Sequence, residues 1–326
     1  MSHPINALSK TLKSSLKRVN KEIKDNIKDE EKLITTTAGH LLNSDGKKIR
    51  PLLTLLISRM LKYRGSADVT LAVCIEFIHN ATLLHDDVID TGKLRRGKKS
   101  ANEIWGNKVS VLVGDYLLSK AFKLMVKNKS LKLLEILSQT SLVLARGQIQ
   151  DVGNTQNIKL SEKKYLSIIN AKTAELFRVS CFLPTIITRQ NKKIQKIFND
   201  FGYYFGMSFQ LSDDILDYFG HSNKMGKSIG KDFYEGKVTY PVIRCFKDSD
   251  QKSKVIIAKL FLKKKRNKKD LTVILKLMKK TDSYQKSIDF LLKYNEKAKS
   301  SINKFEDNRY KVYLTSLVDN LAIREK

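Results

Sequence analysis

The chain has 326 residues and 41% hydrophobic content, enough for a sizeable core and too much for an intrinsically disordered segment. Lys and Arg outnumber Asp and Glu by 62 to 33, a formal charge of +29, which points to an anionic partner: nucleic acid, a membrane surface or a phosphorylated small molecule. Three cysteines, Cys74, Cys181 and Cys245, stand far apart and outside any CxxC arrangement, which excludes a disulfide framework or structural zinc and fits a reducing cytoplasm.

The N-terminal stretch MSHPINALSKTLKSSLKRVNKEIKD lacks the apolar core of a secretion signal, and no apolar stretch approaches the roughly 20 residues that span a bilayer. A soluble or peripheral protein is expected. Only four prolines and fifteen glycines punctuate a chain whose apolar residues recur at three- and four-residue spacing, so the fold is expected to be all-α. With no linker, repeat or low-complexity tract, residues 1–326 read as one domain.

A first helix is predicted from Pro51, favourable at a first helical position, to the turn at Arg64-Gly65. The next begins near Asp68 and carries VTLAVCIEFIHNATLLHDDVID without a break before Gly92. Further helices are predicted over Val109–Lys127, Ser130–Val152, Ser161–Thr188 with a kink at Pro184, and Lys193–Phe219. From Pro241 onward more helices follow, joined by polar segments, and the run FLKKKRNKKD reads as a solvated helix end and loop.

On the Asp68 helix, His79, Thr82, Asp86 and Asp90 are spaced three, four and four residues apart and form one polar stripe. A second acidic cluster, FQLSDDILDYFG, sets Gln210, Asp213 or Asp214, and Asp217 at helical spacing after another apolar segment. Clustered aspartates repel unless a cation neutralises them, and carboxylate oxygens in small number suit Mg²⁺, which completes its shell with water and phosphate oxygens. Arg95 and Arg96 offer planar forks for phosphate, and Lys47, Arg50, Lys172, Lys227 and Lys237 add cations on loops and helix ends. So many cations suggest two diphosphates.

The segments GKKIRP, FIHNATLLHDDVID, LRRGKKSAN, VLVGDYLLSKAF, KTAELF, FQLSDDILDY and GKSIGKDFYEGKVTYP, in this order, resemble those of the trans-isoprenyl diphosphate synthases (polyprenyl synthetases) over nearly the whole chain. That resemblance implies a bundle of long helices around a central cavity, the isoprenoid synthase fold, and head-to-tail condensation of isopentenyl diphosphate with an allylic diphosphate. Asp86, Asp87, Asp90, Asp213, Asp214 and Asp217 are then the Mg²⁺ ligands, with Lys172 beside them in catalysis. Arg95, Lys172, Thr173, Gln210, Lys227 and Lys237 contact the allylic diphosphate; Lys47, Arg50, His79 and Arg96 hold isopentenyl diphosphate. Gln148 and Asp151 in GQIQD match a helix that faces the cavity. Ala81 and Thr82, both small, together with Ile78 leave room for a long product, implying an octaprenyl chain for the ubiquinone side group rather than a farnesyl or geranylgeranyl product. A homodimer, a cytoplasmic location and peripheral membrane contact through the apolar product follow from the same likeness. The family often has Leu where Phe233 and Tyr240 stand.

Rival readings fare worse. HSNKMGKS resembles a P-loop, but five residues rather than four separate Gly220 from Gly226, and a helix rather than a strand precedes it. A nucleic-acid-binding protein would place two repelling aspartate clusters in its groove. A terpene cyclase would carry an Asn/Ser/Glu metal motif in place of DDILD.

Overall fold

The computed structural model describes residues 4–28, 30–42, 47–220 and 229–323. Its elements are helices apart from one small hairpin, as the sequence pattern requires. They are α1 (Pro4–Thr11), α2 (Lys13–Ile27), α3 (Lys32–Leu42), α4 (Ile49–Met60) and α5 (Ala67–Ile89), then the strands β1 (Leu94–Arg95) and β2 (Lys98–Lys99). There follow α6 (Ala101–Lys127), α7 (Leu131–Val152), α8 (Glu162–Ile169), a π-helical turn (Asn170–Ala174), α9 (Glu175–Ile187) and α10 (Lys192–Phe219). The chain closes with α11 (Lys231–Glu235), α12 (Tyr240–Asp248), α13 (Gln251–Leu262), α14 (Lys268–Lys280), α15 (Ser283–Ile302) and α16 (Arg309–Ile323).

The predicted helices from Asp68 and Lys193 match α5 and α10 to within a residue or two at their starts. The helix expected from Val109 is extended back to Ala101 by a short helical stretch that meets it across a kink at Gly106 (φ +84°, ψ 163°). Pro184 lies inside α9, and the Ser161–Thr188 segment is also interrupted by the π-turn.

Contacts divide the chain into two compact units. The first comprises Met1–Ser141, Leu176–Asn199 and Lys304–Leu314. Its centre is α5, which packs against α2, α4 and α6. Contrary to the sequence expectation, α5 is long and apolar enough to cross a membrane. It is a core helix: Val73, Ile75, Phe77, Ile78 and Leu84 are all buried. Thr54 on α4 donates to the Ser180 carbonyl of α9 at 3.0 Å, satisfying a hydroxyl that burial would otherwise penalise.

The second unit comprises Leu142–Glu175, Asp200–Asn303 and Thr315–Lys326. Its core joins Tyr165, Leu211, Ile215, Phe233, Tyr240 and Phe261. The two aromatic departures from the family pattern sit here. Phe233 meets Phe261 edge-on with centroids 5.5 Å apart, and Tyr240 stacks on Phe290 at 4.3 Å. Two glycines bring helices against the π-turn. A Cβ on Gly147 of α7 would lie 2.6 Å from the Lys172 amide nitrogen, and one on Gly206 of α10 the same distance from the Ala174 Cα. No other residue fits at either position.

Candidate active site

In the first unit, the open positions of α5 include His79, Thr82 and Asp86, and Asp90 at the helix C-cap is also partly exposed. The polar stripe read from the sequence is therefore the accessible edge of a buried helix. Asp87, one residue round the helix, is only 2% exposed, and both its oxygens accept from the Arg95 Nε at 3.1 and 3.2 Å. Arg95 Nη2 closes the pair. Asp87 thus positions an arginine, while Asp86 and Asp90 are partly exposed.

The hairpin explains the arginine doublet. Arg95 pairs with Lys98 across β1 and β2, leaving Arg96 and Gly97 as the two-residue turn, both with positive φ (52° and 77°). That is the primed turn geometry whose twist suits a tight hairpin. Arg96, Lys48 (φ 44°) and Thr91 (φ 48°) are among the non-glycine residues in the left-handed region, as are Lys62, Lys129 and Asp282 elsewhere in the chain.

Arg50 on α4 lies over the Phe177 ring at 4.0 Å, and its Nη1 is 3.2 Å from His79 Nε2. Burial, then the charges of Arg50, Arg96 and Arg95, hold the His79 imidazole well below its usual pKa. It is neutral, and Nε2 accepts from Arg50. Of the adjacent lysines, Lys48 donates to Asn20 Oδ1 at 2.7 Å, and Lys47 is exposed. Ala81 and Ile78 are buried and Thr82 is partly exposed.

In the second unit, Asp213 is exposed, Asp214 is buried and Asp217 is intermediate. Asp217 accepts the backbone N–H of Lys231 and of Asp232, each at 3.0 Å, so the N-terminus of α11 is built onto it. Asp214 accepts from Tyr165 Oη at 2.5 Å and from Gln210 Nε2 at 2.7 Å. Burial, reinforced by the charges of Asp213 and Asp217 and opposed by those two hydrogen bonds, pushes Asp214 up to about 7. Gln210, held this way, turns its Oε1 to the Thr173 hydroxyl at 2.7 Å. Lys172 Nζ reaches Asp151 Oδ2 at 2.7 Å, and Lys237 reaches Glu235 Oε2 at 2.7 Å. A cavity of about 80 Å³ gathers Asp151, Lys172, Thr173, Gln210, Asp214 and Lys237. Lys227 lies outside the described residues.

Among the described residues no three His, Cys, Asp or Glu side chains form a ready-made metal cage. The donor set fits an ion of another kind, one that takes a few carboxylate oxygens and completes its shell on phosphate. The buried Gln148 side-chain amide has neither its oxygen nor its nitrogen hydrogen bonded, a polar group without a protein partner on the helix that carries Asp151.

Tyr165 and Phe177 were not read from the sequence. Tyr165 lies seven residues, two turns, before Lys172, and that spacing was the available signal; Phe177 closes the KTAELF segment. Replacing Tyr165 with Phe should cost about 1–3 kcal/mol, because the buried Asp214 loses a donor and gains none. Chemical denaturation of the two proteins measures the difference, and equal midpoints with equal slopes would show that Asp214 does not depend on Tyr165.

A sequence model described as Polyprenyl synthetase matches residues 31–278. The chain belongs to the polyprenyl synthetase family. It is 37% identical to the octaprenyl diphosphate synthase of Haemophilus influenzae over 253 residues, 78% of this chain and 77% of that one. The crystal structure of a decaprenyl diphosphate synthase from Rhodobacter capsulatus superposes with a TM-score of 0.94 at 34% identity, covering 99% of each chain. A polyprenyl synthase from Caulobacter crescentus, complexed with calcium and isoprenyl diphosphate, does so equally well at 34% identity, over 100% of this chain and 99% of that one. This polyprenyl synthetase is a prenyltransferase of the polyprenyl diphosphate synthase type, acting on isopentenyl diphosphate and an allylic diphosphate.

Proposed function

We propose that this synthetase is a Mg²⁺-dependent long-chain enzyme releasing an octaprenyl diphosphate for the ubiquinone side chain. The observation that carries the diphosphate chemistry is the cationic group around α5, where Arg50, a neutral His79 and the Arg95–Arg96 hairpin surround an open aspartate stripe. Asp86, Asp90 and Asp213 would hold the ions directly, while Asp87, Asp214 and Asp217 shape the loops and side chains beside them. Bound there, Mg²⁺ supplies Lewis-acid neutralisation of the allylic diphosphate.

The chain's own residues do the rest. Arg95, Lys172, Thr173, Gln210 and Lys237 orient the allylic diphosphate and stabilise the charge that grows on it as its C–O bond breaks. Lys47, Arg50, His79 and Arg96 hold isopentenyl diphosphate so that its double bond attacks the allylic cation. The departing diphosphate accepts the proton released. Small residues at Ala81 and Thr82 support the long product. Exposed apolar residues on α6 (Leu112, 66% exposed) and α7 (Ile149, 73%) support a homodimer, and a cytoplasmic location is part of the same proposal. One domain spanning the chain is supported by unit boundaries that fall inside α7, α10 and α16.

Incubation with labelled isopentenyl diphosphate, farnesyl diphosphate and Mg²⁺, followed by reverse-phase chromatography, should give a product of roughly eight isoprene units and none in excess chelator. Full activity in chelator would remove the metal from the proposal, and a product that stops at the geranylgeranyl length would remove the long chain.

A further inference from the structure

The lysine-rich run that reads as a solvated loop has a second property once folded. Between residues 251 and 269 there are nine Lys or Arg residues and no Asp or Glu. On α13 the inner face, Ile257, Leu260 and Phe261, is buried, yet Val255, Ile256 and Leu262 are exposed at 46, 43 and 70%. Val255, Lys259 and Leu262, spaced four and three apart, form one line along the outside of the helix. Lys252, Lys259, Lys264, Lys265, Lys268 and Lys269 are exposed around it, and on α14 Val273 is exposed beside Lys276. Scattered single apolar residues mean nothing, but several set in a field of lysines form a surface.

This hairpin is firmly anchored from within. Arg266 turns inward, donating to the Leu260, Phe261 and Tyr234 carbonyls at 3.1, 2.5 and 3.1 Å, so it closes the C-terminus of α13. Lys263 pairs with Asp270. The neighbouring acids Asp248 and Asp250 lie before α13 and are held by Arg244, Lys286 and Lys280. Lys252, Lys259, Lys264, Lys265, Lys268 and Lys269 face outward with the aliphatic side chains.

We propose that the α13–α14 hairpin docks this enzyme on anionic bilayers, its lysines meeting lipid phosphates while Val255, Ile256 and Leu262 enter the headgroup boundary. The charge complementarity selects an anionic surface, and the aliphatic residues select a lipid one. A single-stranded nucleic acid would call instead for aromatic stacking platforms, and α13 exposes none. No residue assigned to diphosphate binding lies within the hairpin.

The test is sedimentation of the full chain with phosphatidylcholine vesicles that contain or lack phosphatidylglycerol. Binding is expected only with the anionic lipid and should fall as salt screens the charges. Lys264→Glu, Lys265→Glu and Lys268→Glu together should weaken it by about a hundredfold or more, at roughly fivefold or more per reversed lysine. A control with the same change of charge elsewhere, Lys10→Glu, Lys13→Glu and Lys17→Glu, should keep most of the affinity, and Leu262→Ser should weaken binding at every salt concentration. Condensation in solution should be unchanged in all three. Equal losses in the two triple variants would overturn the proposal in favour of diffuse charge. So would binding indifferent to phosphatidylglycerol, or retention on RNA with no binding to either vesicle.

Discussion

Alanine in place of Asp213 should lower turnover by on the order of a hundredfold or more while leaving stability within about 0.5 kcal/mol of the parent, and Asp86→Ala should behave alike. The expectation rests on exposure. Asp213 is open to solvent and Asp86 partly so. Removing either carboxylate takes away negative charge preorganised for a metal-bound diphosphate from a position that solvent reaches. The opposite signature belongs to Asp87, whose loss would leave the largely buried Arg95 guanidinium without its carboxylate and cost about 3 kcal/mol. Turnover under saturating Mg²⁺ and denaturation midpoints, measured on the same three variants, separate the two kinds of aspartate. Near-normal turnover in both Asp86→Ala and Asp213→Ala would mean that the metal is held elsewhere.

Ala81→Tyr should shorten the product to about three or four isoprene units, from roughly eight in the parent, while the first condensations continue. Ala81 precedes Asp86 by five residues, about 7.5 Å along the axis of α5. Thr82 beside it donates its hydroxyl to the His79 carbonyl at 2.7 Å, which returns the polar atom to the helix and leaves a methyl group outward. A growing apolar chain passing this level meets small, largely non-polar side chains. Because Ala81 is 2% exposed, a tyrosine there must also displace protein or follow the product's path. Product chromatography is therefore paired with a thermal melt. A folded, active Ala81→Tyr enzyme releasing the parent product would show that the chain grows past some other surface.

The long helices were legible because their apolar spacing persists over five or more turns, as in α5 and α10. The hairpin was not, since two-residue strands carry no alternation, although Arg96-Gly97 marks its turn. Among the N-terminal helices, α2 carries a helical repeat in Leu16, Val19, Ile23 and Ile27, set among many lysines, while α1 and α3 are too short for a repeat to persist. Within the site, residue types were readable and their division of labour was not. Adjacent aspartates on a helix point about 100° apart, so one of each pair has to turn into the protein. That geometry alone separates Asp86 from Asp87 and Asp213 from Asp214. What local sequence does not carry is the partner waiting on the other side: Arg95 in one case, Tyr165 in the other.

The π-turn at Asn170–Ala174 sets helix regularity against reach. A wide turn holds one residue more than an α-turn, which is how neighbours in sequence, Lys172 and Thr173, both line one cavity, each with its own partner. Deleting a single residue here would restore an unbroken hydrogen-bond ladder and improve the helix as a helix. It would also swing one of the two side chains out of the cavity. The extra residue trades backbone regularity for reach, and a deletion variant more stable than its parent but poorer in allylic substrate affinity would be its mark.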